Sequence, residues 1–167
     1  TLVNNGINYI LVGPIKDALE IRKYNNEVPV LVNYWVTEEE VFDAINNDIT
    51  LTITSLEYLR SITCLDIKDD LKLQILIDNG SNKIGLKNNL ELNEAVEIIR
   101  GTKHLKLVGI YTDLTTIGVE DEYYYQQINA FYQIIGNFLD SDIMIHLNEP
   151  IMYHKKLSYV NGIRFDL

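Results

Sequence analysis

Seven short apolar runs, alternating with segments of helical spacing, constrain the fold of this chain more than any other feature of its sequence. The runs are Ile7–Val12, Val28–Tyr34, Ile49–Thr54, Leu71–Asp78, Leu105–Tyr111, Ile143–Leu147 and Val160–Phe165. A strand that returns to lie parallel beside its predecessor needs a crossover connection, and a helix is the usual one. The alternation therefore predicts parallel β/α units. Pro14 permits a helix start ahead of Ile15, Ala18, Leu19 and Arg22. Thr37-Glu-Glu-Glu40 reads as a capping box opening a helix that buries Val41, Phe42 and Ile45. Ser55 can cap the helix carrying Leu56, Leu59 and Ile62, and Asn88 or Asn89 the one carrying Leu92, Ala95, Val96 and Ile99, which Gly101 ends. The longest helix is expected from Glu120 to Leu139, with Tyr124, Ile128, Phe131, Ile135 and Phe138 on one face and an acidic start that complements the helix dipole.

At 167 residues and 47% hydrophobic, the chain can build one domain with a real core. No apolar run approaches the roughly 18 residues needed to span a bilayer. The start Thr1-Leu-Val-Asn-Asn-Gly lacks the basic residues of a signal peptide. These features, with a lone Cys64 that cannot form an internal disulfide, point to a cytoplasmic protein. A net charge of −10 argues against nucleic acid as a partner, and the basic pairs Lys103/Lys106 and Lys155/Lys156 read as solvated faces. No metal site is expected.

Leu71–Asp78 reads as a strand buried on both faces, stopped by Asp78-Asn-Gly80, whose residues tolerate left-handed backbone. Any chemistry is expected just beyond such a stop. A complete eightfold β/α barrel takes about 250 residues, with about 200 as a lower bound. The chain therefore either lacks a unit or forms an open doubly wound sheet. The expectation is an α/β fold of TIM type, a (β/α)8 barrel lacking its first β/α unit, with about seven strands in one partial domain over residues 1–167.

The order of the motifs supports the barrel. Asp78-Asn-Gly-Ser-Asn-Lys-Ile-Gly85 follows the pattern Asp-Thr-Gly-Met-x-Arg-x-Gly, and Leu107-Val-Gly-Ile-Tyr-Thr-Asp-Leu114 the pattern Glu-Gly-Ile-Phe-Thr-His-Phe. Glu122–Phe131 is like the glutamine-containing helix behind that strand, Ile145-His-Leu-Asn148 like a His-x-Ala-Asn-Ser segment, and Val160-Asn-Gly-Ile-Arg-Phe165 like Val-Arg-x-Gly-Ile-x-x-Tyr. In these features the whole chain resembles the cofactor-binding barrel of the alanine racemase family, fold-type III enzymes that use pyridoxal phosphate.

The resemblance implies an amino-acid racemase interconverting L- and D-alanine, acting as a head-to-tail homodimer on a small amino-acid substrate. It places Lys83 where an arginine binds the substrate carboxylate, and Gly162 and Ile163 where backbone amides cradle the cofactor phosphate. Asp113 falls on a histidine packed against the cofactor ring, Asn161 on the arginine facing the pyridine nitrogen, Asn148 beside a phosphate-binding serine, and Leu76 on a functional lysine. The Schiff-base lysine falls outside these 167 residues, so no catalytic residue is assigned and the chain alone is expected to be inactive. The alternative is a degenerate barrel that has become a binding, regulatory or assembly module. A further possibility is the single-barrel family that carries pyridoxal phosphate for homeostasis.

Read without the resemblance, Lys83 is a surface lysine and Asp113 a loop-ordering or ligand-contacting carboxylate. His146 reads as a satisfied core histidine, His104 and His154 as surface residues, and one of Tyr123, Tyr124 and Tyr125 as core-facing.

Overall fold

The computed structural model describes residues 9–115, 122–139 and 142–148, and the backbone of 162–163. In chain order the elements are β1 (Ile10–Val12), α1 (Ile15–Arg22), β2 (Val30–Val32), α2 (Glu38–Asn46), β3 (Ile49–Ile53), α3 (Leu56–Thr63), β4 (Leu71–Ile77), α4 (Asn89–Gly101), β5 (Leu105–Asp113), α5 (Glu122–Ile135), β6 (Met144–Asn148) and β7 (Gly162–Ile163). A single 3-10 turn, Gly136–Phe138, follows α5. The caps form as the sequence suggests. Thr37 makes the complete capping box, Ser55 accepts from the Tyr58 amide, and Asn88 rather than Asn89 accepts from Glu91.

The strands form one parallel sheet in the order β1-β2-β3-β4-β5-β6-β7. Right-handed crossovers that always step to the next strand in the same direction carry every helix to the same face of the sheet. A doubly wound sheet needs a reversal of strand order, which is absent among the described residues, so that alternative falls. The α/β chain with about seven parallel strands, expected of a barrel that lacks a unit, is present. The described strands make a curled half-barrel, with no pairing between β1 and β7 to close it.

The two faces of the sheet bury different residues. On the helix side, Val30, Val32, Ile49, Leu51, Ile53, Leu71, Leu73, Ile75 and Ile77 pack against Ala18, Val41, Leu59, Ile62, Leu92, Ala95, Val96, Ile99, Tyr124, Ile128, Phe131 and Ile135 in one core. On the inner side Leu31, Leu76 and Tyr111 form a separate cluster with Tyr9 and Leu11 against it. This is the period-2 alternation of strands whose two faces are both covered.

Two helix details differ from expectation. α2 buries Val41 and Ala44, whereas Phe42 is 40% exposed and Ile45 only half-buried. Positions three apart share a helix face, and Phe42 lies about 100° round from Val41. Arg22, on the inward stripe of α1, is buried. Its guanidinium donates to the carbonyls of Asn47 at 2.7 Å, Val28 at 2.8 Å, Asp48 at 2.9 Å and Asn25 at 3.2 Å. It thereby ties the end of α1 to the start of β2 and the turn before β3. Burial pulls its pKa down, and the Asp48 charge opposes that shift. Among the described residues no helix is long and apolar enough to cross a membrane.

Candidate functional site

The inner face carries a floor of packed side chains and, above it at the carboxyl ends of the strands, a ring of short polar ones. The floor is built by register. Leu76, Tyr111 and His146 lie in line across β4, β5 and β6, as do Thr52, Gln74, Gly109 and Met144 one layer below, across β3 to β6. A bulge between Leu73/Leu107 and Gln74/Gly109 sets this alignment. A Cβ on Gly109 would lie 2.9 Å from the Gln74 side chain and 3.0 Å from the Met144 carbonyl, so glycine there makes room for Gln74.

Polar groups in the floor are paired. The Tyr111 ring stacks on His146 with centroids 4.8 Å apart and planes 5° from parallel. Its hydroxyl lies 3.0 Å from Thr52 Oγ1 and donates to Asn33 Oδ1. Gln74 Nε2 donates to the Tyr9 hydroxyl at 2.8 Å, so Gln74 Oε1 is left to accept from His146 Nε2 at 2.7 Å. His146 is thus a satisfied core histidine, as its apolar strand suggests. Burial raises the pKa of Tyr9 against the opposing hydrogen bonds from Thr50 and Gln74.

The ring above the floor centres on Asp113, the last residue of β5. Its carboxylate accepts from Asn148 Nδ2 at 2.5 Å and from Asn33 Nδ2 at 3.4 Å, and its carbonyl accepts from Asn79 Nδ2 at 2.8 Å. Asn33 follows β2, Asn79 follows Asp78 at the end of β4, and Asn148 ends β6. The ends of four strands therefore meet at one residue, Asp113, two of them through its carboxylate and one through its carbonyl, at the end of the sheet where β/α folds place their sites. Asn79 Oδ1 and Asn148 Oδ1 are buried and have no hydrogen-bond partner.

The loop after β4 is tightly shaped. Asp78 Oδ1 accepts from the Gly80 amide at 3.1 Å and from Ser81 Oγ at 3.3 Å, and Gly80, Asn82 and Gly85 all have positive φ. The chain then doubles back. Leu86 pairs with Ile77 in parallel, its amide donates to the Leu76 carbonyl, and the Asp78 amide donates to the Leu86 carbonyl, both at 2.9 Å. Because β5 occupies the other edge of β4 at Ile77, Leu86 takes the place beside β4 that the shorter β3 leaves open.

The residues singled out from sequence are placed as follows. Asp113 and Asn148 are brought into direct contact. Lys83 is exposed, at the outer part of the β4 loop. Gly162 and Ile163 lie on β7 beside His146 and Leu147. Asn161 lies outside the described residues. Leu76 is packed in the inner apolar cluster. Asn33, Asn79, Gln74 and Tyr111 were missed. For Asn79 a signal existed, since it stands just beyond the apolar run Leu71–Asp78; Asn33 lies within the run Val28–Tyr34 and carried none. At the opposite end of the sheet a cavity of about 280 Å³ is lined by Tyr9, Asp48, Thr50, Lys72, Gln74 and Met144, where Lys72 pairs with Asp48 at 2.7 Å. Among the described residues no cluster of three or more metal-ligating side chains occurs.

Three comparisons bear on this arrangement. The family model described as alanine racemase, N-terminal domain, matches residues 1–149. The alanine racemase of Methanococcus maripaludis is 33% identical over 169 residues, covering 97% of this chain and 45% of its own length. Alanine racemase 1 of Bacillus subtilis is 27% identical over 164 residues, covering 97% of this chain and 42% of its own. In structure, the chain is similar to the alanine racemase of Clostridium difficile 630 in complex with cycloserine, with a TM-score of 0.85 at 23% identity over 98% of this chain and 47% of the other. That last likeness speaks for the fold alone. The chain spans less than half the length of these relatives.

Proposed function

Since the chain belongs to the alanine racemase N-terminal domain family, we propose that the full-length protein is a pyridoxal-phosphate-dependent amino-acid racemase interconverting L- and D-alanine. In this reading residues 1–167 form a single partial domain, and the curled sheet belongs to a TIM-type (β/α)8 barrel whose remaining unit is not among them. A homodimer in the cytoplasm is the assembly that goes with it. The observation that carries the reading is the convergence of Asn33, Asn79, Asp113 and Asn148 at the carboxyl ends of β2, β4, β5 and β6 in a chain of this family.

The donor set limits how the cofactor can sit. The amide donors of Asn33, Asn79 and Asn148 all point to Asp113, so this part of the mouth presents acceptors and suits no phosphate. The backbone amides of Gly162 and Ile163 on β7 are the donors that suit it, and the residues present fit the cofactor with its phosphate on that side. Pyridoxal phosphate, when bound, supplies the electron sink that makes an α-hydrogen acidic. The chain's own part is positional. Lys83 holds the substrate carboxylate as a point charge, with less directional control than an arginine fork would give. By the family resemblance Asp113, Asn148 and Asn161 are the residues that would contact the cofactor, and the stacked Tyr111 and His146 form the floor one layer below Asp113 and Asn148.

One observation favours a second reading, a degenerate barrel that binds without catalysing. Leu76 stands where the family resemblance places a functional lysine, and it is packed into an apolar cluster with Leu31 and Tyr111. A titration of the full-length protein with pyridoxal phosphate separates the two. A saturable visible absorbance band supports the racemase; no band at saturating cofactor supports the degenerate barrel.

A further inference from the structure

Two of the positions at which β5 departs from the pattern Glu-Gly-Ile-Phe-Thr-His-Phe are joined through a third residue. Tyr111 stands where the pattern has its first phenylalanine, and Asp113 where it has histidine. Asn33 lies between them. Its backbone amide donates to the Val12 carbonyl at 2.8 Å, which fixes the residue in place beside β1. The Tyr111 hydroxyl donates to Asn33 Oδ1, and Asn33 Nδ2 donates to Asp113 Oδ2 at 3.4 Å. Thr52, 3.0 Å from the same hydroxyl, gives its own proton to the Val32 carbonyl at 2.7 Å. A phenolic donor on one side and a carboxylate on the other call for the same orientation of the Asn33 amide. Turned over, that amide would set its oxygen against the carboxylate. At 3.4 Å the bond to Asp113 is long, so the tyrosine is the stronger of the two constraints.

We propose that Tyr111 is a positioning residue for this site: through Asn33 its hydroxyl sets where the Asp113 carboxylate lies, so that the tyrosine and the aspartate act as one unit. For what Asp113 faces, this rests on the racemase reading above, which puts Asp113 against the cofactor. Tyr111 suits the task because it is held on every side. It is fully buried, its ring is stacked on His146, and its strand is paired along both edges, with β4 and with β6. The Asp113 carboxylate also accepts from Asn148 Nδ2 on β6. Without the tyrosine hydroxyl the hold from the β2 side is loosened, while the one from Asn148 stays.

The test is a double-mutant cycle in the full-length protein, Tyr111→Phe against Asp113→Ala, read in two ways. In urea denaturation the two midpoint shifts add up to about 0.3 M or more beyond the shift of the double variant, and they become additive once Asn33→Ala is present as well. The contact with Thr52 is lost in both backgrounds and cancels. In spectrophotometric titration with pyridoxal phosphate, Tyr111→Phe raises the apparent Kd about threefold or more on its own, and less than about 1.5-fold when Asp113→Ala is already there. Additive midpoints overturn the proposal. So does a Kd that Tyr111→Phe leaves unchanged or raises equally in both backgrounds, which is what a merely structural tyrosine gives. If Asp113→Ala does not fold, Asp113→Ser takes its place. A parent protein with no cofactor band at saturation fails the racemase reading instead, and the urea cycle then decides on Tyr111 by itself.

Discussion

Gly85 closes the loop that follows β4, and replacing it with alanine should be among the most damaging single-methyl changes in the chain. Its φ is +133°, and a Cβ built there would lie 2.6 Å from the Asp78 nitrogen, 2.9 Å from the Ile77 carbonyl carbon and 3.1 Å from the Leu76 oxygen. All three neighbours are backbone atoms of β4 and its end, so none can swing aside as a side chain would. The backbone strain costs about 2 kcal/mol. Relief by displacement breaks the two 2.9 Å bonds of Leu86, to the Leu76 carbonyl and from the Asp78 amide, at about 1 kcal/mol each. Stiffening of the unfolded chain returns about 0.7 kcal/mol. The net loss for Gly85→Ala is then about 3 kcal/mol, which lowers the urea midpoint by about 1.5 M for a slope near 2 kcal/mol/M. Gly101→Ala is the control, because a Cβ at Gly101, in the last turn of α4, has no atom within 4 Å; it should leave the midpoint unchanged or raise it. A Gly85→Ala midpoint within about 0.3 M of the parent, or an equal fall in Gly101→Ala, would refute the close approach of this loop to β4.

Three further outcomes follow from particular contacts. Arg22→Met leaves four carbonyls without their donor and should cost about 3 kcal/mol in chemical denaturation, with Arg22→Lys recovering only part of it because a single ammonium cannot reach the same spread of acceptors. Tyr111→Phe removes the hydroxyl between Thr52 and Asn33 and should lower stability by about 1 to 2 kcal/mol, read as a lower Tm with an unchanged far-ultraviolet spectrum that shows the fold retained. The hydrogen bond from His104, helped by the Lys106 charge, holds the Asp70 carboxyl below its ordinary range. Its folded pKa lies below the unfolded one, so the stabilisation is present above the usual carboxylate range and disappears as pH falls through the folded value. Asp70→Asn should therefore melt slightly below the parent near pH 7, the difference vanishing as pH falls below the usual carboxylate range, as read by Tm against pH.

The fold was legible because its signals are local and repeated. Thr37, Ser55 and Asn88 act as caps where their spacing to Glu40, Tyr58 and Glu91 suggests, and the inward stripe of α4 is buried at all four expected positions. Of the three adjacent tyrosines, Tyr124 alone is buried, as one helix face requires. The strand ends were less legible. β5 runs two residues beyond Tyr111 to Asp113, because pairing with β6 extends the ladder past the last apolar residue. Closure of the sheet was beyond the sequence, since it depends on which strands meet and not on what each strand contains.

The candidate site residues were singled out through the family resemblance, one at a time. Asp113 and Asn148 could be singled out singly, but their contact depends on β5 and β6 pairing in register at Asp113 and Asn148. Asn33 reaches the same carboxylate from 80 residues away in sequence, and no pattern in the chain announces that. Arg22 reads as one more residue at helical spacing, because its acceptors are backbone carbonyls and leave no trace in residue identity.

The central claim is that this domain belongs to a protein that racemises alanine. It is tested most directly by incubating the full-length protein with L-alanine and pyridoxal phosphate and following D-alanine by chiral chromatography. D-alanine should accumulate toward an equal mixture, at a rate that depends on added cofactor and with a higher KM for alanine in Lys83→Ala. No D-alanine above a protein-free control, from protein that is folded and saturated with cofactor, would contradict it.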